Sequence, residues 1–310
     1  MFKSFAEYDK AKEYYEKAFT IAIEIGDRNG QANAYGNIGN VFKSLAEYDK
    51  AKEYYEKALV ITIEIGGRER ESGIYKGLAD LSLISFADYN KATECLEKAL
   101  AITIEFDDKQ GKLTVHGTLG QVFSRLGEYD KAKKHYKKTL KIAIEIGDKK
   151  AEATCYETLG SLSLNRCKYT EANENILKAL ELASDIGVRE LETFCYHELG
   201  CLFLKLGDFV KAKEHFEKAL AMAMETGNKQ AEAAACYGNL GRVLKRLGEN
   251  ENAEECLEKT LSICKNIGDL DMELKCSFNF AVAKISAQKS QEAFPYLFES
   301  VKKSRFSQRP

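Results

Sequence analysis

Apolar and small residues recur along this chain at offsets of three and four, and the pattern restarts about forty residues later. Between Ala34 and Leu59 the run reads AYGNIGNVFKSLAEYDKAKEYYEKAL. It puts Tyr35, Ile38, Gly39 and Phe42 on one stripe and Tyr48, Ala51, Tyr55 and Ala58 on a second. A stripe with a period near 3.6 marks an amphipathic helix, so each copy predicts two helices, A and B, that bury their stripes together. Helix A is expected at 29–44, 69–84, 110–125, 150–165, 190–205, 230–246 and 271–286. Helix B is expected at 48–65, 89–106, 129–146, 169–186, 209–226, 250–267 and 291–303. The joints fall at Gly26, Gly66, Asp107, Gly147, Gly187, Gly227 and Gly268. There a left-handed residue ends one helix, and a following Asp or Asn can cap the next.

The pattern divides the chain into a partial copy with helix B alone (1–25) and complete copies at 26–65, 66–106, 107–146, 147–186, 187–226 and 227–267. A degenerate copy or cap (268–303) and a tail (304–310) follow. Residues 1–28 repeat 41–68 almost letter for letter, so Phe2-Lys3-Ser4 should end a helix A and a helix B should run from Tyr8. That helix would lack its usual cover, which predicts either a longer array or association through this end. Single extra residues interrupt the period in the turn 84–88 and at Ala233-Ala234-Ala235. An extra residue inside a helix rotates one end by about 100°, so the sixth helix A is expected to start one residue late instead.

Glycine in a helix interior costs about 1 kcal/mol relative to alanine. Yet Gly39, Gly120, Gly160, Gly200 and Gly241 recur at one helix A position. Close packing against helix B accounts for them, with Ala51, Ala92, Ala132, Ala172, Ala212, Ala253 and Ala293 opposite. Phe42, Phe123 and Phe203, with Tyr55, Tyr136 and Phe216, are expected to fill the space between neighbouring pairs.

The order of large residue, Leu-Gly, aromatic, Gly-x-Tyr, Ala, aromatic and Ala resembles the tetratricopeptide repeat (TPR). The resemblance implies an all-α fold, a right-handed TPR superhelix (α-solenoid) of antiparallel helix pairs. The copy length, the Gly-Asp-Arg/Lys joint and the wording AYGNIGN are similar to long-array tetratricopeptide-repeat-28-like proteins and to Leu-Gly-Asn-rich polarity adaptors. In such proteins a concave groove lined by helix A side chains holds an extended or helical segment of another protein. The adaptors grip the partner backbone with helix A asparagines, which match Asn37 and Asn40 and in part Asn239 and Asn279. The middle copies depart from this, with Gly77 and Asp80, Thr118 and Gln121, Thr158 and Ser161, then Glu198 and Cys201.

Composition narrows the partner class. A net charge of −2 lacks the basic stripe that nucleic acid needs. No run approaches the ~20 apolar residues of a membrane span. Nine cysteines at irregular spacing fit reduced thiols, and hence a cytoplasmic protein.

Candidate chemistry is sparse. Cys195, His197 and Cys201 come nearest to a metal set, but only His197 and Cys201 share a helix face, and zinc wants four ligands. The GNIGN run at 36–40 lies inside a helix and follows no strand, so its glycines mean packing and not phosphate binding. A carboxylate clamp of the kind some TPR proteins carry would need more than Asn239 and Lys275. No catalytic residue, cofactor or metal is therefore expected.

What varies between copies is the helix A face away from the seam. It carries Asn33, Asn37, Asn40 and Ser44, then Lys76 and Asp80, then Gln121 and Arg125, then Glu157 and Asn165. His197 and Lys205 follow, then Asn239, Arg242 and Arg246. Such variation fits either a surface that reads a non-repeating partner or unconstrained solvent positions. The reading is a scaffold or adaptor for a protein segment. The alternatives are a structural or regulatory arm of a larger protein, or a module that self-associates through its ends.

Overall fold

The computed structural model describes residues 2–85, 87–225 and 230–268, together with 273, 274, 276–278, 280, 281 and 284. The elements among them are all α-helices. The first is α1 (Phe2–Glu24), followed by α2 (Arg28–Ser44), α3 (Tyr48–Glu64), α4 (Arg68–Ile84), α5 (Tyr89–Glu105), α6 (Lys109–Arg125) and α7 (Tyr129–Ile146). Then come α8 (Lys149–Asn165), α9 (Tyr169–Asp185), α10 (Arg189–Leu206), α11 (Phe209–Glu225), α12 (Gln230–Leu247) and α13 (Asn250–Ile267). Of the expected final pair, the described residues between 273 and 284 are helical, while the rest of 271–286, all of 291–303, the Gly227 joint and the tail lie outside the described residues.

The chain forms two compact units, Met1–Asp148 and Lys149–Pro310. In the first, each helix from α1 to α7 packs on the next in order. In the second, α8 to α13 do the same. Helix A of each copy is thus the even-numbered element and helix B the odd-numbered one that follows.

The glycine column is buried as expected, but its partner differs. A Cβ on Gly39 would come 2.9 Å from the Tyr55 ring, and one on Gly120 would come 2.5 Å from Tyr136. Gly160, Gly200 and Gly241 meet Ile176, Phe216 and Leu257 in the same way. The glycine therefore makes room for the large residue one turn beyond the expected alanine. Ala51, Ala92, Ala132, Ala172, Ala212 and Ala253 are buried too, and let the two backbones approach. Tyr55 also lies against Gly77 of α4, so one ring fills both its own pair and the gap to the next.

The joints behave as their residues dictate. Gly26, Gly66, Gly147, Gly187 and Gly268 take φ of 68–73°, and Asp107 takes φ 50°. Asp88 and Asp108 accept the Lys91 and Gly111 amides. Asp27, expected to cap α2, makes no side-chain cap bond; only its carbonyl is used, by the Gln31 amide. The place where the sixth copy absorbs its extra residue falls at 226–229, outside the described residues.

At the first helix the expectation fails. Phe2-Lys3-Ser4 do not end a helix A but belong to α1, which runs unbroken through Phe5-Ala6-Glu7. The matching Leu45-Ala46-Glu47 turns, because Ala46 takes φ 59° and the Glu47 amide reaches back to the Phe42 carbonyl. A left-handed alanine costs about 1–2 kcal/mol and needs two docked helices to hold it. The closely similar Phe5-Ala6-Glu7 stay helical.

Ala87 (φ 46°) and Cys167 (φ 57°) stand at corresponding turns where other copies use Gly127, Gly207 and Gly248. Ala46→Gly and Cys167→Gly should each raise stability by about 0.5–1 kcal/mol, the relief of strain outweighing the added freedom of the unfolded chain. Urea melts of the two variants check this.

Candidate functional site

In the first unit the helix A asparagines gather as expected. Asn33, Asn37 and Asn40 of α2 share a cavity of about 460 Å³ with Tyr55 and Thr62 of α3 and with Glu69, Arg70 and Gly73 of α4. The Tyr55 hydroxyl donates to Asn40 Oδ1 at 2.6 Å, which ties this open face to the buried ring of the seam. Burial, and then the nearby Asp80 charge, push that hydroxyl up to about 12, so it stays a donor. Lys43 bonds Asp80 at 2.9 Å, linking α2 to α4. Ser44 is exposed, and its hydroxyl donates to the Asn40 carbonyl of its own helix. Lys76 and Asp80 are half-buried, and Gln121 and Arg125 are exposed on α6.

One pair was missed in the sequence. His116 of α6 and His135 of α7 meet with their Nδ1 atoms 3.1 Å apart, and Phe123 packs on His135. They occupy the positions of Tyr35 and Tyr54, which touch in the first copy, so the joint swap of both to histidine was the available signal. One ring must accept, so at least that ring is neutral in the bonded pair. Burial first, then His135, push His116 down to about 4; burial also lowers His135. In the unfolded chain these rings take up protons near pH 6.5, so the folded state is penalised below that point. Melting temperature should fall as pH drops from about 6.5 towards 4. A His116→Tyr, His135→Tyr double variant, which restores the first copy's pair, should show a smaller fall.

In the second unit Glu157 of α8 does not stand free. Its carboxyl is largely buried beside Glu198 of α10, with the Thr158 hydroxyl donating to it at 3.3 Å. Burial, then the Glu198 charge, raise Glu157 from an ordinary 4.5 to about 7, and burial raises Glu198. Among the described residues Glu198 Oε2 has no hydrogen-bond partner. A raised carboxyl favours the fold while protonated in it. Its contribution is full below about pH 4.5 and is lost as pH rises through about 7. Glu157→Gln should therefore gain on the order of 2–3 kcal/mol over the parent at pH 8 and almost nothing at pH 4.5. Melts at the two pH values decide it.

Beyond that pair runs a bonded set on α10 and α12. The Asn239 amide donates to His197 Nε2 at 3.0 Å, Arg242 donates to Asn239 Oδ1 at 3.2 Å, and the His197 Nδ1 side faces Cys201 Sγ at 4.0 Å. Burial lowers His197, so its ring is neutral and can accept. Cys195, grouped with these residues in the sequence, lies fully buried in the core. Burial pushes both the Cys195 and Cys201 thiols up to about 12, far from nucleophilic thiolates. Asn165 is exposed at the end of α8. Lys275 of the clamp reading, and Asn279 of the asparagine set, lie outside the described residues.

A cavity of about 980 Å³ opens next to this set. It is lined by Cys201, Leu204 and Lys205 of α10, Phe209 of α11, and Asn239, Arg242, Lys245 and Arg246 of α12. The sequence marked four of these residues one by one, as Lys205, Asn239, Arg242 and Arg246, but not the enclosure they share.

Comparison with known proteins follows this geometry. Among solved structures, the quorum sensor NprR from B. thuringiensis matches with TM-score 0.72 at 18% identity, covering 96% of this chain and 81% of that one. Aspartyl phosphate phosphatase F from Bacillus subtilis matches with TM-score 0.70 at 14% identity, covering 92% and 74%. A signal transduction ATPase with a tetratricopeptide repeat sensor from Pyrococcus horikoshii matches with TM-score 0.69 at 19% identity; 97% of this chain spans 47% of it, about half its length. At these identities the likeness is one of fold. None of the curated proteins matches in sequence. The tetratricopeptide repeat family model matches residues 6–63, 75–145 and 151–225, and a second model of that repeat matches 233–267. With these matches covering most of its length and its helices paired in register, the chain belongs to the tetratricopeptide repeat family.

Proposed function

We propose that this protein is a non-catalytic adaptor that holds a segment of a partner protein, extended or helical, against the open face of its helices A. One observation carries the reading: residues that differ from copy to copy gather in cavities beside the repeating seam. Asn33, Asn37 and Asn40 share one cavity, and Lys205, Asn239, Arg242 and Arg246 share another. Lys76, Asp80, Gln121, Arg125, Glu157, Asn165 and His197 would extend this reading surface, with the copies bounded as the period divides them. Among the described residues no helix is long and apolar enough to cross a membrane. Cysteines without disulfides, one of them the exposed Cys167, accord with work in the cytoplasm.

Asn33→Ala with Asn37→Ala, and Arg242→Ala with Arg246→Ala, should leave melting unchanged yet weaken partner capture. Full capture by both variants would overturn the reading. A second reading, self-association, draws on Ile23, Ile63, Ile104 and Ile144, all more than half exposed on α1, α3, α5 and α7. A monomer at high concentration in sedimentation would remove it.

A further inference from the structure

Charge is distributed unevenly over the second unit. Several of its cations are matched: Lys213 bonds Glu249 at 2.8 Å, Lys211 pairs with Asp208 at 3.2 Å, and Arg189 reaches both Glu192 and Glu225. Around the α10–α12 cavity the matching stops. Lys205, Arg242, Lys245 and Arg246 all line it, no carboxylate does, and among the described residues none of the four forms an ion pair. Arg242 and Arg246 stand one turn apart on α12, where like charges destabilise a helix. The fold does not demand them, since α8 carries Ser161, Leu164 and Asn165 at the positions of Arg242, Lys245 and Arg246. In a chain of net charge −2, this cavity is a local concentration of positive charge to which a counter-charge from outside is complementary.

We infer that the cavity between α10, α11 and α12 seats an acidic peptide segment, whose carboxylates are held by Lys205, Arg242, Lys245 and Arg246. This rests on the adaptor reading and names the partner's chemistry. Arginine forks match carboxylates with two parallel bonds, and lysine adds charge without fixed geometry. Leu204 and Phe209 give the wall apolar surface for side-chain stems between the acids. Asn239, fixed between His197 and Arg242, offers a rigid carboxamide edge. The cavity, about 980 Å³, is much larger than one phosphate group, and its cations spread over two helices. That favours several carboxylates over a single phosphorylated side chain. Nucleic acid would need a basic stripe continuing past one cavity, whereas Lys211 and Lys213 of α11 are paired with Asp208 and Glu249.

Fluorescence anisotropy of the full chain tests this with a labelled peptide of Glu-Glu-Leu repeats, its Gln-Gln-Leu counterpart, the latter with one phosphoserine, and a single-stranded DNA oligomer. The glutamate peptide should bind and the glutamine peptide should not. Affinity should fall about tenfold or more between low and high salt. A triple variant, Arg242→Gln, Lys245→Gln and Arg246→Gln, should lose about tenfold or more while melting close to the parent, because the repulsion it removes offsets the helix-end attraction and the Arg242–Asn239 bond it gives up. Failure of the glutamate peptide to bind, equal binding by the triple variant, or tighter binding of the phosphoserine peptide or the DNA would overturn the inference. If the glutamate peptide fails while Asn33→Ala with Asn37→Ala still weakens partner capture, the acidic seat falls and the adaptor reading stands.

Discussion

Gly160→Leu should destabilise the second unit by about 3 kcal/mol, at the upper end of what overpacking costs. A Cβ at this position would stand 2.6 Å from Ile176 Cγ1, and behind that atom lie the Ile176 amide nitrogen at 3.2 Å and the Ala172 carbonyl at 3.4 Å. A flexible side chain can move aside, but two backbone atoms of α9 move only if the helix moves. Even Gly160→Ala should lose stability, although alanine is the better helix former by about 1 kcal/mol. Gly73→Ala supplies the contrast, because nothing lies within 4 Å of its added methyl, and it should gain up to about 1 kcal/mol. Urea melts with opposite signs for the two alanines would establish that the column is set by packing; equal signs would show that the seam is misplaced.

Tyr55→Ala should cost about 3–5 kcal/mol, as for other buried aromatic truncations. Its ring is 2% exposed, touches Gly39 and Gly77 on two different helices A, and belongs to the main core cluster of the first unit. The loss should therefore loosen α2–α3 and α3–α4 together. Tyr55→Phe separates the ring from the hydroxyl. It keeps the packing and removes only the 2.6 Å bond to Asn40, at about 1 kcal/mol. Freed of that bond, Asn40 should also become more mobile, which side-chain amide NMR signals would report. A Tyr55→Phe loss as large as that of Tyr55→Ala would mean the hydroxyl, not the ring, holds the first unit together.

Helix positions were readable from sequence because a 3.6-residue stripe repeated in register leaves little freedom. The glycine column was readable for the same reason, but not its partner. Spacing shows that a large and a small residue share a face of helix B; only the tilt of the pair decides that Tyr55, and not Ala51, lies on Gly39. Phe5-Ala6-Glu7 and Leu45-Ala46-Glu47 show a second limit. Nearly the same letters stay helical in one place and turn in the other, so the local sequence alone does not set the turn. The asparagine face was legible, since Asn33, Asn37 and Asn40 sit on one side of one helix. Glu157 and Glu198 were not, because they occupy neighbouring columns in adjacent copies and meet only through packing. The cations of the α10–α12 cavity were visible singly, while their lack of acidic partners needed coordinates.

Site-specific photo-crosslinking tests most directly whether helix A carries the partner. Crosslinkers at Asn33, Asn37 and Asn165 on helices A are to be compared with crosslinkers at Ile63 and Ile104, exposed on helices B. One partner segment should be captured from the helix A positions and not from the helix B positions. Capture from Ile63 and Ile104 with none from the asparagines would contradict the proposed role of the open face.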